Sequence, residues 1–317
     1  MLKLILSMAI IVGALMLGQL FYLRTKERST RQNTDSIMDK IRIAVVFIAT
    51  PVISLGAFWI VDFSNMTLAA LPILGATSLG IGAFLSVGAS KLLKHNRIQT
   101  GSFFCCGSST NLGTIGGLLC FAFFGEAGYS YCVLFCLLLT PMLYLFSFPG
   151  AAYFSSEGAQ KGMLKRLMSD KLVIVFFISL VAGFALNIAN VPRPAFYSTV
   201  NEYLIPVSSF FLVMSLGYTM RFSKIRQYKK EIAVMSIIKY VITPVFVIGA
   251  AYLLGFHNYG DGTLFKSLII LSALPVGFNA LIPMNIYNLE VNLGNSCWIV
   301  TTLMMIAIIP AVYFAVQ

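Results

Sequence analysis

Charged side chains are scarce in this chain, at 10% of its 317 residues, and carboxylates are scarcest, with 11 Asp and Glu against 22 Lys and Arg. Apolar residues make up 58% and mean hydropathy is +0.87, which excludes an ordinary soluble domain. Long polar stretches are lacking as well. The longest, residues 23–41 and 153–171, are each under twenty residues, so no soluble catalytic or nucleic-acid-binding domain fits between the apolar segments. Histidine is nearly absent: His95 and His257 both lie in polar connections. The six cysteines (Cys105, Cys106, Cys120, Cys132, Cys136, Cys297) fall inside apolar segments, where free cysteine behaves as a small hydrophobe. Cys132 and Cys136 share a helix face, but no histidine lies near them in sequence, so spacing assembles no metal site.

Motifs are missing too. The chain has no Walker-type phosphate loop for ATP drive, no arginine ladder for voltage sensing and no TVGYG-like potassium filter. An intramembrane protease or transferase needs a Ser–His, paired-Asp or metal constellation at depth, and none is visible, so no enzyme is expected.

What the chain does have is about ten apolar segments near the roughly 20 residues a membrane span requires. They run at 3–22, 42–61, 67–90, 99–124, 129–152, 172–190, 200–220, 232–255, 264–288 and 295–316. Lys3 before an apolar run opens like a secretory signal, yet LGQLFYLRTK offers no small-residue cleavage site, so an uncleaved span is expected. Residues 1–317 read as a single polytopic membrane domain.

The net charge of +11 is distributed as a topology signal. Eighteen of the 22 basic residues occupy odd-numbered connections, with Lys26 in the first and Lys161 in the fifth among them. Arg193 and Lys266 are the only ones in even connections. By the positive-inside rule the odd connections face the cytoplasm and both termini face outward, in a plasma (inner) membrane. The basic clusters imply contact with the lipid bilayer and not with nucleic acid.

Two segments are interrupted mid-span by similar residues. SSTNLGTIGG (108–117) contains Asn111, Gly113, Gly116 and Gly117, and ALPVGFNALIPMN (273–285) contains Pro275, Gly277, Asn279 and Pro283. Unpaired backbone is not tolerated in hydrocarbon, so such breaks must line a cavity or be covered by protein. Broken segments at corresponding places in two halves point to a transporter's binding site. Pro51 in the second segment pairs with Pro206 in the seventh, and each broken segment is followed by a short acidic connection, with Glu126 and Glu290. Halves of five spans each must insert in opposite orientations. The expected fold is an all-α membrane protein of ten transmembrane helices in two inverted five-helix repeats, 1–152 and 172–317, joined by a cytoplasmic linker at 153–171, with broken, crossing helices 4 and 9.

Asn111, Gly113 and Gly116 (NxGxxG), the following FFGEAG, the stretch NVPRPAFYSTVNEYLIPVSSFFLVMSLGYTMRF, KYVITP and ALPVGFNALIP together resemble the auxin efflux carrier family of membrane permeases. The likeness covers nearly the whole chain. One departure is Leu118, where the resemblance implies a proline. The resemblance implies ten helices in inverted repeats, transport of a small organic anion, and a site framed by helices 4 and 9 with the asparagines on the substrate. A homodimer is expected by analogy only.

The residues bear on that site directly. Half-helix N-termini favour an anion such as a carboxylate. Asn111 and Asn279 offer amide donors either to a carboxylate or to unwound backbone, and Ser109 and Thr110, beside Ser108, are further substrate-binding candidates. Lys239 lies eight residues beyond Glu231, about 12 Å into its helix. It either snorkels to the interface, serves as a counter-charge for an anionic substrate, or takes the place of a coupling cation. Asp62, Glu126, Glu202, Asp261 and Glu290 all sit at or beyond span ends, so a carboxylate proton relay is not expected. No cofactor is expected; sodium held by amide, hydroxyl and carbonyl oxygens stays open, as does drive by membrane potential. The rival reading is a transporter-like ligand sensor that signals through a partner protein.

Overall fold

A computed structural model describes residues 2–25, 28–61, 63, 66–155 and 163–316. Lys26, Asp62 and residues 156–162 of the basic linker, Lys161 included, lie outside the described residues. Within them the chain is helical, with one isolated β-bridge and no strand. In chain order the α-helices are α1 (Leu2–Arg24), α2 (Arg28–Ala44), α3 (Thr50–Trp59), α4 (Leu71–Leu92), α5 (Arg97–Gly107), α6 (Gly117–Phe135), α7 (Leu139–Met142) and α8 (Phe148–Phe154). They continue as α9 (Met163–Ser169), α10 (Lys171–Ile188), α11 (Phe196–Thr219), α12 (Lys229–Ile237), α13 (Thr243–Leu253), α14 (Thr263–Ser272), α15 (Leu281–Ile286) and α16 (Val291–Val316).

Seven helical stretches among the described residues are long and apolar enough to cross a membrane: Lys3–Arg24, Thr30–Trp59, Thr67–Leu92, Leu112–Phe154, Phe196–Thr219, Ile225–Leu253 and Val291–Val316. Two shorter apolar helices, Val173–Ile188 and Thr263–Ser272, fall where the sixth and ninth segments are expected. The 43-residue stretch Leu112–Phe154 is not one straight rod. Gly125, in the GEAG connection, has φ 66 and ψ −155, a conformation essentially reserved for glycine, and the helix turns there.

Three other departures from α geometry share one cause. Val45–Ala49, Leu143–Ser147 and Ile238–Ile242 are π turns, and they run directly into Pro51, Pro149 and Pro244 at the starts of α3, α8 and α13. Proline lacks an N–H and crowds the carbonyl four residues back. One extra residue widens the turn, and the amides of Thr50, Phe148 and Thr243 donate to carbonyls five residues earlier, on Val45, Leu143 and Ile238. The backbone stays paired where no water is available to pair it.

The chain divides into two interleaved units. The first comprises Met1–Ser64, Gly113–Val133 and Asp170–Met220; the second comprises Asn65–Leu112, Leu134–Ser169 and Arg221–Gln317. Each unit takes residues from both expected repeats. In the first, α1 packs along α11 and α3 along α10, around a buried core of Ala49, Ile53 and Ile205. In the second, α5 is the central element, packed against α4, α8 and α16, with every residue from Gly101 to Gly107 buried. Its start is set by a capping box in which Asn96 and Gln99 bond each other's backbone amides.

Candidate functional site

Two helices of the second unit stop in mid-course. α5 ends at Gly107, Ser109–Asn111 are non-helical, and helical geometry resumes in the π turn Leu112–Gly116. α14 ends at Ser272, and the chain runs extended through Pro275, Val276 and Gly277 into the single turn Phe278–Ala280 and then α15. Pro275 accounts for the second break, since it removes a donor and drives Leu274 away from helical geometry. The first contains no proline; Ser, Thr and Asn compete for backbone bonds locally, and the second break supplies the rest.

The two breaks pair with each other. Thr110 and Val276 form an antiparallel bridge. The Asn111 amide donates to the Pro275 carbonyl at 3.0 Å, and the Gly277 amide donates to the Ser109 carbonyl at 3.2 Å. Ser109 Oγ donates to the Gly277 carbonyl at 3.4 Å, and the Val276 amide donates to Thr301 Oγ1 of α16 at 3.3 Å. Freed backbone groups are thereby satisfied inside protein, as burial at membrane depth demands. The crossing is tight: a Cβ on Gly277 would lie 2.5 Å from Ser109 Oγ and 2.9 Å from the Thr110 carbonyl carbon and oxygen.

Lys239 reaches this crossing from the π turn between α12 and α13. Its side chain is 1% exposed, and Nζ donates to the Gly107 carbonyl at 2.8 Å, the Ser109 carbonyl at 2.8 Å and Thr110 Oγ1 at 2.9 Å. It does not snorkel. Among the described residues no carboxylate pairs with it. Its hydrogens are spent on the crossing, at the carbonyl end of α5, where the helix dipole favours a cation. Room for that end comes from Gly82 of α4, where a Cβ would sit 2.4 Å from the Gly107 carbonyl oxygen and 3.6 Å from Nζ.

Asn111 is buried, at 7% exposure, and its Nδ2 has no hydrogen-bond partner. Asn279, in the turn after the second break, is exposed. The structure thus gathers Ser109, Thr110, Asn111, Lys239, Pro275 and Gly277 at one crossing. The hydroxyls of Ser109 and Thr110 are engaged within it, Ser109 as donor to Gly277 and Thr110 as acceptor from Lys239. Gly113, Gly116 and Gly117 fall after the first break, in the π turn and the start of α6, and Pro283 is a buried residue inside α15. Sequence reasoning missed Gly82, Gly107 and Thr301. Only a small-residue pattern hints at the first two, and Thr301 carries no local signal, because a helical threonine most often bonds back along its own helix, as Thr301 also does to Cys297.

The first unit holds a separate polar cluster. Arg193 makes a two-pronged pair with Glu126 at 2.9 and 2.6 Å, Asn201 Nδ2 donates to the same carboxylate at 2.7 Å, and Arg193 also donates to Ser198 Oγ at 2.7 Å. The Arg193 guanidinium lies over the Tyr197 ring at 5.5 Å. Arg193, Glu126, Ser198 and the Asn201 amide nitrogen partner one another, while Asn201 Oδ1 is buried without a partner, and the cluster reads as a clamp between the GEAG turn and the start of α11. In the second unit, His95 faces Glu231 at 3.4 Å and Ser90 Oγ at 3.2 Å. Among the described residues no three His, Cys, Asp or Glu side chains converge as metal ligands would.

No family model matches the chain, and no curated protein matches it.

Proposed function

We propose that the protein is a secondary carrier of a small organic anion, of the auxin efflux carrier type, and that the crossing of the two broken helices is its substrate site. The observation that carries this reading is electrostatic. The crossing holds a buried ammonium with no described carboxylate beside it, and the next donor along the chain, Asn111 Nδ2, has no acceptor. A buried donor without an acceptor costs about 1–3 kcal/mol, and an unbalanced buried charge costs more. An anion, and a carboxylate above all, relieves both at once. Asn111 and Asn279 are the proposed substrate contacts; Lys239, Ser109 and Thr110 hold the crossing and supply its positive field.

The architecture supports the carrier reading. On this reading the turn at Gly125 is a connection and each broken helix is one pass, so that the seven long stretches and the shorter helices would make up ten passes. The first unit draws the first two spans of each expected repeat, and the second unit takes the bulk of the remaining spans of each. On this reading one repeat's panel of helices rocks against the other's in alternating access. On this reading the basic connections face the cytoplasm and both termini face outward.

Proteoliposome uptake of a radiolabelled carboxylate panel (malate, malonate, an amino-acid anion, an indole acid) tests the proposal, with and without an imposed potential. Saturable uptake that Asn279→Ala abolishes, in a variant that still folds, is the expected result. Ligand binding without uptake under any gradient would overturn the carrier and favour a sensor.

A further inference from the structure

The Lys239 ammonium is surrounded as a coordinated metal cation is surrounded, and not as a side chain in an ion pair. Its three neighbours are two carbonyl oxygens released by the helix break and one hydroxyl, at 2.8, 2.8 and 2.9 Å. Unwound carbonyls and half-helix C-terminal ends are the groups that hold sodium in discontinuous-helix transporters. A shell of neutral oxygens suits a monovalent cation; divalent ions draw on carboxylates, and no described carboxylate pairs with Nζ. The lysine arrives from a different helix, through a π turn that adds one residue to the helical repeat, and Gly82 leaves the Gly107 carbonyl unobstructed.

We propose that Lys239 is a built-in cation: its Nζ fills a monovalent-cation position formed by Gly107 O, Ser109 O and Thr110 Oγ1, so the crossing needs no dissociable ion. Its consequence for drive rests on the carrier reading above, for it makes anion movement independent of a sodium gradient. The site itself does not depend on that reading. Lys239→Ala then leaves three convergent oxygens around a vacated cavity, which a small cation enters.

The test is thermal unfolding of the full-length protein in detergent at constant ionic strength, with choline replaced stepwise by sodium, potassium or methylammonium. A cation that binds the folded state alone raises the melting temperature in a saturable way. Wild type is expected to melt at one temperature in all four salts. Lys239→Ala is expected to melt lower in choline and to recover part of the loss, saturably, in methylammonium or sodium; adding Thr110→Ala removes that recovery. A Lys239→Ala protein that responds to none of the cations overturns the proposal. So does a saturable sodium or potassium shift in the wild type, and that arm decides alone if the variant does not fold. Because the readout is unfolding, its failure leaves the carrier proposal standing, and a failure of uptake leaves this one standing.

Discussion

Asn111 and Gly277 flank the Thr110–Val276 bridge on opposite segments and are expected to fail in opposite ways. The Asn111 side-chain nitrogen has no partner, so Asn111→Ala removes no hydrogen bond that Nδ2 makes in the folded protein. Its melting temperature should change by the equivalent of less than about 1 kcal/mol, while carboxylate uptake is lost. Gly277→Ala adds a methyl group 2.5 Å from Ser109 Oγ and 2.9 Å from Thr110 backbone atoms. It should cost about 1–3 kcal/mol in unfolding measurements, as overpacked sites do. Much of this was legible in the sequence. Asn111, Asn279 and Lys239 stand out because polar groups at membrane depth are expensive, and Pro275 because it cannot continue a helix. Gly113 and Gly116 lie in the π turn that directly follows the first break, and Gly117 starts α6. Glycine permits a break without forcing one, and the break at Ser109–Asn111 is fixed by pairing with a segment 168 residues away, as the bond from Ser109 to Gly277 illustrates. No local pattern encodes such a partner.

At the scale of elements, the π turns before Pro51, Pro149 and Pro244 tie proline positions to side-chain direction. A π turn is an α-helix with one residue added, and one residue is about 100° of rotation, given 3.6 residues per turn. Deleting Val241, whose side chain is exposed, should convert Ile238–Ile242 to α geometry and swing Lys239 away from the oxygens of Gly107 and Ser109. Loss of uptake with Val241 deleted, and its retention in Val241→Ala, would separate register from chemistry. The prolines were visible in the sequence; the compensating turns were not, because they arise from where the displaced carbonyls find donors. The clamp in the first unit makes a second prediction at this scale. Arg193→Lys keeps the charge but loses the two-pronged geometry on Glu126, and thermal unfolding should register a loss of about 1–3 kcal/mol for a half-buried pair of this kind.

For the whole molecule, composition alone carries the class: 58% apolar residues in long runs leave room for a helical membrane protein and little else. The grouping of helices into two interleaved units was not legible, because it depends on which helix faces pack, and membrane helices are apolar on every side. Charge placement predicts the orientation. Cysteines introduced at the exposed positions Lys91 and Lys224 should react with a membrane-impermeant maleimide only from the cytoplasmic side, and one at exposed Asp261 only from outside. The reverse pattern would invert the topology.

An anion seated at the helix crossing would be visible there directly. A brominated form of whichever carboxylate is taken up, bound to the protein in crystals and located by its anomalous scattering, would fix the position without model bias. The carboxylate is expected at the crossing, with an oxygen about 2.7–3.2 Å from Asn111 Nδ2. Bromine density elsewhere, with Asn111 Nδ2 still unpartnered, would contradict it.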